Sequence, residues 1–521
     1  MKFFRKEKSW LWISSLLIVV VTSLPYILGF LNQGSDWEFS GFLIAVEDGN
    51  SYIAKMRQGA QGDWLFRSPY STLEQAGALI YLPYLILGKI LDPWASHFSY
   101  VLIFHAFRLI SNFILCIATY EFISLFIKQV RLKQVSWLIA LLGGGLGWML
   151  IILGQPNWLG SIPLEFYSPE SFGFLSLFTF PHLSLGRALM LIGLSRYLNP
   201  PQKGNSSMKT AALWLSLALI HILSAAIALF IIFVHWVVKN YSIVLRRKRG
   251  LSWASIEPIL WPIIGAGIPL IVNLFLLIQD PYLQSWLLQN QITSPHPLHY
   301  LVAYGIFIPF SWRGLRNLAN IDIEKAQFLQ TWLIVFVALV MLPFGLQRRF
   351  AEGIWVVIVL LAALSFIQKE RVNYRKLVIL FAASIPSTLL LLVGSFQLAI
   401  NPQSPSFVTN NTVTLFRELE NELNPNEVVL GTYEIGNALP AWAPVTVVLG
   451  HGPESVGFSD LERGVYSVLN VSGSLKKRDQ QFLSEQNVDY ILSQHVILSG
   501  DLFSLTEIKS SSSYFLYRIN H

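Results

Sequence analysis

Cysteine is almost missing from this chain. The single thiol, Cys116, lies inside an apolar run, so an internal disulfide framework and a cysteine metal site are both excluded. Charge is scarce too: 13% of the 521 residues are charged, against about a quarter in soluble domains. With 53% hydrophobic residues and a mean hydropathy of +0.51, the composition is that of a polytopic membrane protein. The net charge of +7 does not argue for nucleic acid, because the basic residues sit in short loops between apolar segments. That pattern reports topology. No Walker loop, dinucleotide fingerprint, HExxH helix or nucleophile elbow occurs, and no repeats or low-complexity tracts are visible.

Long apolar runs are abundant. Residues 1–30 start basic (Lys2, Arg5, Lys6, Lys8) and continue through an apolar run. It has the ~20 residues of a bilayer span, and no small-residue cleavage site follows it. We read it as a retained first helix with its N-terminus in the cytoplasm. Further apolar segments fall at 76–92, 97–127, 137–154, 171–198, 209–238, 258–278, 298–312, 328–346, 350–368 and 377–400. Cytoplasmic loops carry the excess of Lys and Arg, and the best such loops are 128–133, 239–249 and 369–376. Fixing them inside places 36–75, 155–170, 279–297 and everything after 401 outside. Parity then requires an odd number of crossings in 76–127, which looks like two segments. Broken or re-entrant helices are expected there and at 209–238, for a total of about 11 to 13 crossings.

The C-terminal part changes character. Residues 405–521 hold 13 Asp+Glu against 7 Lys+Arg. VVLGTYEI, VTVVLGHG, VDYILSQ and YFLYRI read as strands, while FSDLERGVYSVLN and KKRDQQFLSEQN read as helices. The expected division is a transmembrane domain over 1–404, with its first outer loop at 31–75, and a small soluble α/β domain over 405–521.

Four constellations bear chemistry. The stretch AVEDGNSYIAKMRQGAQGDWLF, residues 45–66, opens a short helix with Glu47 and Asp48. On a helix Asp48, Tyr52 and Lys55 share one face, while Ile53, Met56 and Ala60 form another that suits lipid. An acid there is a candidate general base; it also serves as a plain helix cap. In PFGLQRRFAEGIW, Arg348 and Arg349 fall on the outer side of the expected topology, against the positive-inside tendency. Their planar forks suit phosphate, although such arginines also snorkel to an interface. His182 and Arg187 lie inside an apolar run, where ionisable groups mark cavities or pair within the core. Glu165 and Glu170 precede them in an outer loop and are candidates for acceptor or metal contact. Last, Gly450, His451 and Gly452 follow a strand and precede a helix, where α/β sheets bind ligands or simply turn tightly.

Together these features resemble the GT-C superfamily of integral membrane glycosyltransferases, which includes protein mannosyltransferases, the lipid A aminoarabinose transferase and the RgtA/B/C/D-like families. The residues that carry the resemblance are Glu47, Asp48 and Tyr52 directly after the first helix, and the QRRF pair. More closely, the chain resembles bacterial members with a D-x-x-S/N-Y-x-A-K-M-R-x-G first loop. These also have a PE…PH segment (here Pro169, Glu170, Pro181, His182), a QRR…EG turn and a late GH…T loop. At the last of these the chain departs, reading Gly450-His451-Gly452-Pro453-Glu454-Ser455.

The resemblance implies a polyprenyl-phosphate-linked sugar donor and an inverting transfer, hexosyl or pentosyl, to an acceptor hydroxyl at the outer face. It assigns the catalytic acid to Asp48, with Glu47 as its neighbour, and donor-phosphate binding to Arg348 and Arg349. Tyr52, Lys55, His182, Glu170 and His451 are the further candidates for substrate binding. The acceptor class stays open among lipid, polysaccharide and protein. No ATP or nucleotide sugar is required on that face; a divalent metal stays open as a cofactor, and its site would need Asp48 together with Glu165 or Glu170. The expected location is a bacterial plasma membrane with the C-terminal domain outside. A carrier or flippase of lipid-linked glycans, or a polymerase or ligase of them, are the alternatives; no inverted repeat favours the carrier.

Overall fold

The computed structural model describes residues 2–200, 206–247, 252–318, 321–343, 345–368, 371–471, 473–500, 504–510 and 514–520. Of the basic stretches that set the expected topology, residues 248–250 and 369–370 lie outside the described residues. Among the described residues six helices are long and apolar enough to cross a membrane: Lys6–Leu31, His97–Ser124, Ile222–Tyr241, Trp253–Gln279, Ile323–Met341 and Tyr374–Ile400. The Trp253–Gln279 helix exposes Ile264, Ile268, Ile271 and Phe275, a stripe at helical spacing that water would not tolerate and lipid would. By length and composition this is a multi-pass membrane protein.

The other apolar segments fold as shorter pieces. In 76–92 the only helix is Leu82–Gly88, about 10 Å long and far too short to span a bilayer. That leaves His97–Ser124 as the single candidate crossing in 76–127, which satisfies the odd parity. Segment 209–238 is broken, as expected there, into Ser206–Ile220 and Ile222–Arg247 around His221. Segment 171–198 breaks at Phe180–Pro181, since proline cannot supply the amide to continue the preceding helix.

The chain divides into two compact units. The first gathers Met1–Ile27, Ala106–Val272 and Ile292–Gln397. Its core is helix on helix, with Trp137, Trp214, Trp332 and Trp355 fully buried. The Ile354–Leu364 helix is buried along its whole length, which explains its unbroken apolar sequence.

The second unit gathers Leu28–His105, Asn273–Gln291 and Leu398–His521. Its five-stranded sheet runs in the order Ser504–Ser510, Phe515–Asn520, Tyr490–Ser493, Val428–Leu430, Thr446–Val447. Val428–Leu430 is parallel to both its neighbours, and Phe515–Asn520 is antiparallel to both of its own. The stretch VVLGTYEI is only half strand: it stops at Leu430, and the Thr432 hydroxyl caps a helix over Tyr433–Trp442. The helices expected in FSDLERGVYSVLN and KKRDQQFLSEQN are present as Phe458–Leu469 and Lys477–Glu485.

The first-loop acids open a helix over Val46–Ala60, but that helix does not rest on lipid. Ile53 and Met56 are fully buried inside protein. The reason is a close backbone approach: a Cβ at Gly59 would lie 2.0 Å from the Leu85 carbonyl oxygen, and one at Gly88 1.8 Å from that of Met56. Two glycines thus let the Leu82–Gly88 helix press against the first-loop helix and take the face assigned to lipid. We expect Gly59→Ala to cost at least the ~1–3 kcal/mol typical of overpacking. Thermal unfolding of the purified protein measures it, and an unchanged transition would contradict this contact.

Candidate active site

The Val46–Ala60 helix is held from several sides. Asn50 Nδ2 donates to Asn437 Oδ1 at 2.8 Å, and Arg57 Nε donates to the Ala441 carbonyl at 2.9 Å. Arg57 also pairs with Glu420 at 2.7 Å and lies over the Tyr100 ring. Tyr52 stacks on Tyr84 with ring centroids 4.5 Å apart. The helix begins at Ala45, whose φ of 52° is in the left-handed region, and no side chain caps it. Asp48 is therefore not the cap.

Its carboxylate instead stays 43% exposed, with Oδ1 3.6 Å from His451 Nε2. His451 is buried, and its Nδ1 lies 3.4 Å from Glu454 Oε1. Glu454 is buried as well. Its Oε1 accepts from Ser51 Oγ at 2.7 Å and Lys55 Nζ at 2.7 Å, and its Oε2 accepts from Ser68 Oγ at 2.8 Å. Lys55 is fully buried, also donates to Ser51, and sits 4.4 Å from the Tyr81 ring centroid and 5.0 Å from that of Phe66. Aromatic faces thus stabilise the part of the ammonium that no oxygen meets. Asp48, His451, Glu454 and Lys55 form a row of alternating charge, open only at Asp48.

The electrostatics follow from this row. Burial works against a charge on His451, yet Asp48 and Glu454 overcome it and raise the imidazole to about 9. Burial also opposes ionisation of Glu454, but Lys55 and His451 hold its carboxyl far below the ordinary range. Glu47 has a separate partner: the Tyr433 hydroxyl donates to its Oε2 at 2.8 Å and accepts from the Gly452 amide at 3.2 Å. Burial and Glu47 both push Tyr433 up, so it keeps its proton and donates it.

The Gly450–Ser455 turn that delivers His451 is built by its own polar groups. The Ser455 hydroxyl accepts from the amides of Gly450 and His451, and the His451 carbonyl accepts from the amides of Glu454 and Ser455. A Cβ at Gly450 would lie 2.3 Å from the Gly436 backbone, so only glycine lets this loop pass the Tyr433–Trp442 helix.

Arg348, Arg349, Glu165, Glu170 and His182 belong to the first unit. The Arg348 guanidinium lies 4.3 Å from the Tyr167 ring centroid, and its Nε is buried with no hydrogen-bond partner among the described residues. Arg349 is 40% exposed, with Nε 3.6 Å from Glu170 Oε1. Arg187 is structural: Nε and Nη2 grip Glu352 at 2.7 and 3.1 Å, and the remaining donors reach the carbonyls of Phe172, Pro169 and Glu170. This pair anchors the QRRFAEG turn against the segment bearing Glu170. Glu165 is buried and accepts from the Gly147 amide at 2.6 Å, and burial raises its carboxyl above the ordinary range. His182 is buried, edge-on to His221 at 5.8 Å.

Three side chains that hold the candidate residues or their segments escaped sequence reasoning: Glu454, Tyr433 and Glu352. The only signal for Glu454 was its place three residues after His451. For metal, the second unit offers a poor donor set, because a protonated imidazole has no lone pair to give and Glu454 is already committed to Lys55, Ser51 and Ser68. Among the described residues no three His, Cys, Asp or Glu side chains gather as a metal-binding group.

No protein-family model and no curated protein matches the chain. Solved structures do. The chain is similar to the oligosaccharyltransferase of Archaeoglobus fulgidus tethered to an acceptor peptide with the NVT sequon, at 15% identity and TM-score 0.49, over 92% of this chain and 69% of that one. It is similar to ArnT of Cupriavidus metallidurans in the apo state, at 12% identity and TM-score 0.48, over 97% and 98% of the two chains. It is similar to the mycobacterial arabinofuranosyltransferase AftD at 12% identity and TM-score 0.47, over 96% of this chain and 41% of that one.

Proposed function

We propose that the protein is a glycosyltransferase that moves a sugar from a polyprenyl-phosphate donor to an acceptor hydroxyl, working at the outer face of a bacterial plasma membrane. The observation that carries this reading is Asp48: a carboxylate that is 43% exposed on a mostly buried helix, with the buried His451 imidazole 3.6 Å behind it. Asp48 takes the proton from the acceptor hydroxyl. The acceptor oxygen attacks the anomeric carbon as the bond from that carbon to the phosphate oxygen breaks, and polyprenyl phosphate leaves with the bonding pair. A single displacement inverts the anomeric centre. The unmet donor of Arg348 and the exposed fork of Arg349 suit the phosphate, whose negative charge grows as it departs.

The test is a reconstituted protein given a panel of polyprenyl-phosphate sugars, hexosyl and pentosyl, with candidate acceptors, following transfer and product configuration. Inverted product supports the reading. Movement of intact lipid-linked sugar across the vesicle without transfer would favour the carrier. In the same preparation Arg348→Ala and Arg349→Ala should each weaken donor binding by roughly ten- to a hundredfold, the worth of a lost charge-assisted hydrogen bond. If neither alters it, the phosphate binds elsewhere.

A further inference from the structure

We propose that His451 is a positioning residue, a buried imidazolium that orients the Asp48 carboxylate and is itself held charged by the Glu454–Lys55 pair beneath it. The inference rests on Asp48 being the base, and it gives His451 a role other than the substrate contact expected from sequence. His451 is too buried to bind a substrate broadly, whereas its Nε2 points at Asp48 and its Nδ1 at Glu454. Each ring nitrogen thus lies within ion-pair distance of a carboxylate oxygen, 3.6 Å for Nε2 and 3.4 Å for Nδ1, surroundings that favour the doubly protonated ring.

The surroundings agree from every side. On the first-loop helix the charged groups facing His451 are Asp48 and, through Glu454, Lys55. On its own turn the facing group is Glu454. From the segment after the helix comes Tyr70, fully buried with its ring 5.4 Å away; burial, then Glu454, push it well up, so it stays neutral. The Glu47–Tyr433 pair joins the first-loop helix to the Tyr433–Trp442 helix and is internally satisfied. A neutral lysine would leave Glu454 less firmly ionised and His451 with one carboxylate fewer, which is why Lys55 is caged among oxygens and aromatic rings.

The charge of His451 is retained below its folded value of about 9 and lost as pH rises through it. Two measurements test the inference. The first is nuclear magnetic resonance of 13C-histidine-labelled protein in lipid nanodiscs. One imidazole should titrate near pH 9, vanish in His451→Gln, and move to lower pH in Asp48→Asn. A His451 signal near the ordinary 6.5, or one indifferent to Asp48→Asn, overturns the proposal. The Asp48→Asn shift can be read even if His451→Gln fails to fold, because Asp48 lies at the surface.

The second is the pH profile of transfer. The wild type should lose kcat along an alkaline limb near pH 9. His451→Gln, whose amide does not titrate, should lose that limb and show a roughly tenfold lower kcat at pH 7, with donor KM unchanged. Superimposable profiles would remove His451 from the mechanism while leaving Asp48 in place. If Asp48→Asn transfers normally, the reading of Asp48 as the base fails, whatever the histidine does.

Discussion

Asp48→Asn is expected to cut sugar transfer by roughly 10²- to 10⁴-fold, the usual contribution of a positioned general base, with the protein still folded. Glu47→Gln should cost less than about tenfold by the same measure. The two acids are adjacent in sequence, and the difference between them comes from their partners. Glu47 accepts the Tyr433 proton at 2.8 Å, so one of its oxygens is already engaged by a neutral hydroxyl that resists ionisation. Asp48 is 43% exposed and faces a cation rather than a neutral donor. Asparagine keeps its size and its place but accepts no proton. Steady-state transfer with each variant, with donor binding measured in parallel, decides the assignment. Equal loss in both variants would mean the acids act as a pair, and unchanged transfer in both would remove the base from this loop.

Much of this was legible in the sequence, for physical reasons that differ by element. Scarce charge and long apolar runs marked the membrane spans, since a bilayer sets both length and composition. The amphipathic helices at Phe458–Leu469 and Lys477–Glu485 were readable because each buries one face against the sheet. The first-loop helix was readable as a helix, but its environment was not. Whether Ile53 and Met56 meet lipid or protein depends on Gly59 and Gly88, and the consequence of those glycines appears only once Leu82–Gly88 packs against the first. Lys55 had the same fate: by spacing it shared a face with Asp48, and in the structure it is sealed beneath it. Its partner Glu454 is 399 residues away, a distance no local pattern bridges. The paired arginines stood out by breaking a topological tendency, whereas no local pattern singles out Glu352, four residues after Arg348. Its burial against Arg187 is a tertiary fact.

The largest structural effect is expected from Glu454→Ala, which should destabilise the second unit by about 3–5 kcal/mol, the cost of leaving a buried charge without its partner. Lys55 is fully buried, and removing Glu454 takes away its only carboxylate contact among the described residues, along with one of the two carboxylates that face His451. The Ser51 and Ser68 hydroxyls would lose their acceptor at the same time. Hydrogen exchange of amides in the Val46–Ala60 helix reads this loss locally, without requiring the whole membrane protein to unfold in one step. The paired change Lys55→Met with Glu454→Leu removes both charges and keeps the volume, so it should recover most of the lost protection. It should still lack the histidine signal near pH 9, because the carboxylate that helps hold His451 charged is gone. The pH dependence has two edges. Glu454 is held below its ordinary value, so its contribution is present above about pH 4.5 and fades as pH falls towards its folded value. His451 is held above its ordinary value, so its contribution is complete below about pH 6.5 and is lost as pH rises through about 9. Protection of the first-loop helix should therefore be greatest between these edges in the wild type and nearly flat in the double variant. A wild-type helix whose protection ignores both edges would show that the buried row of charges does not hold it in place.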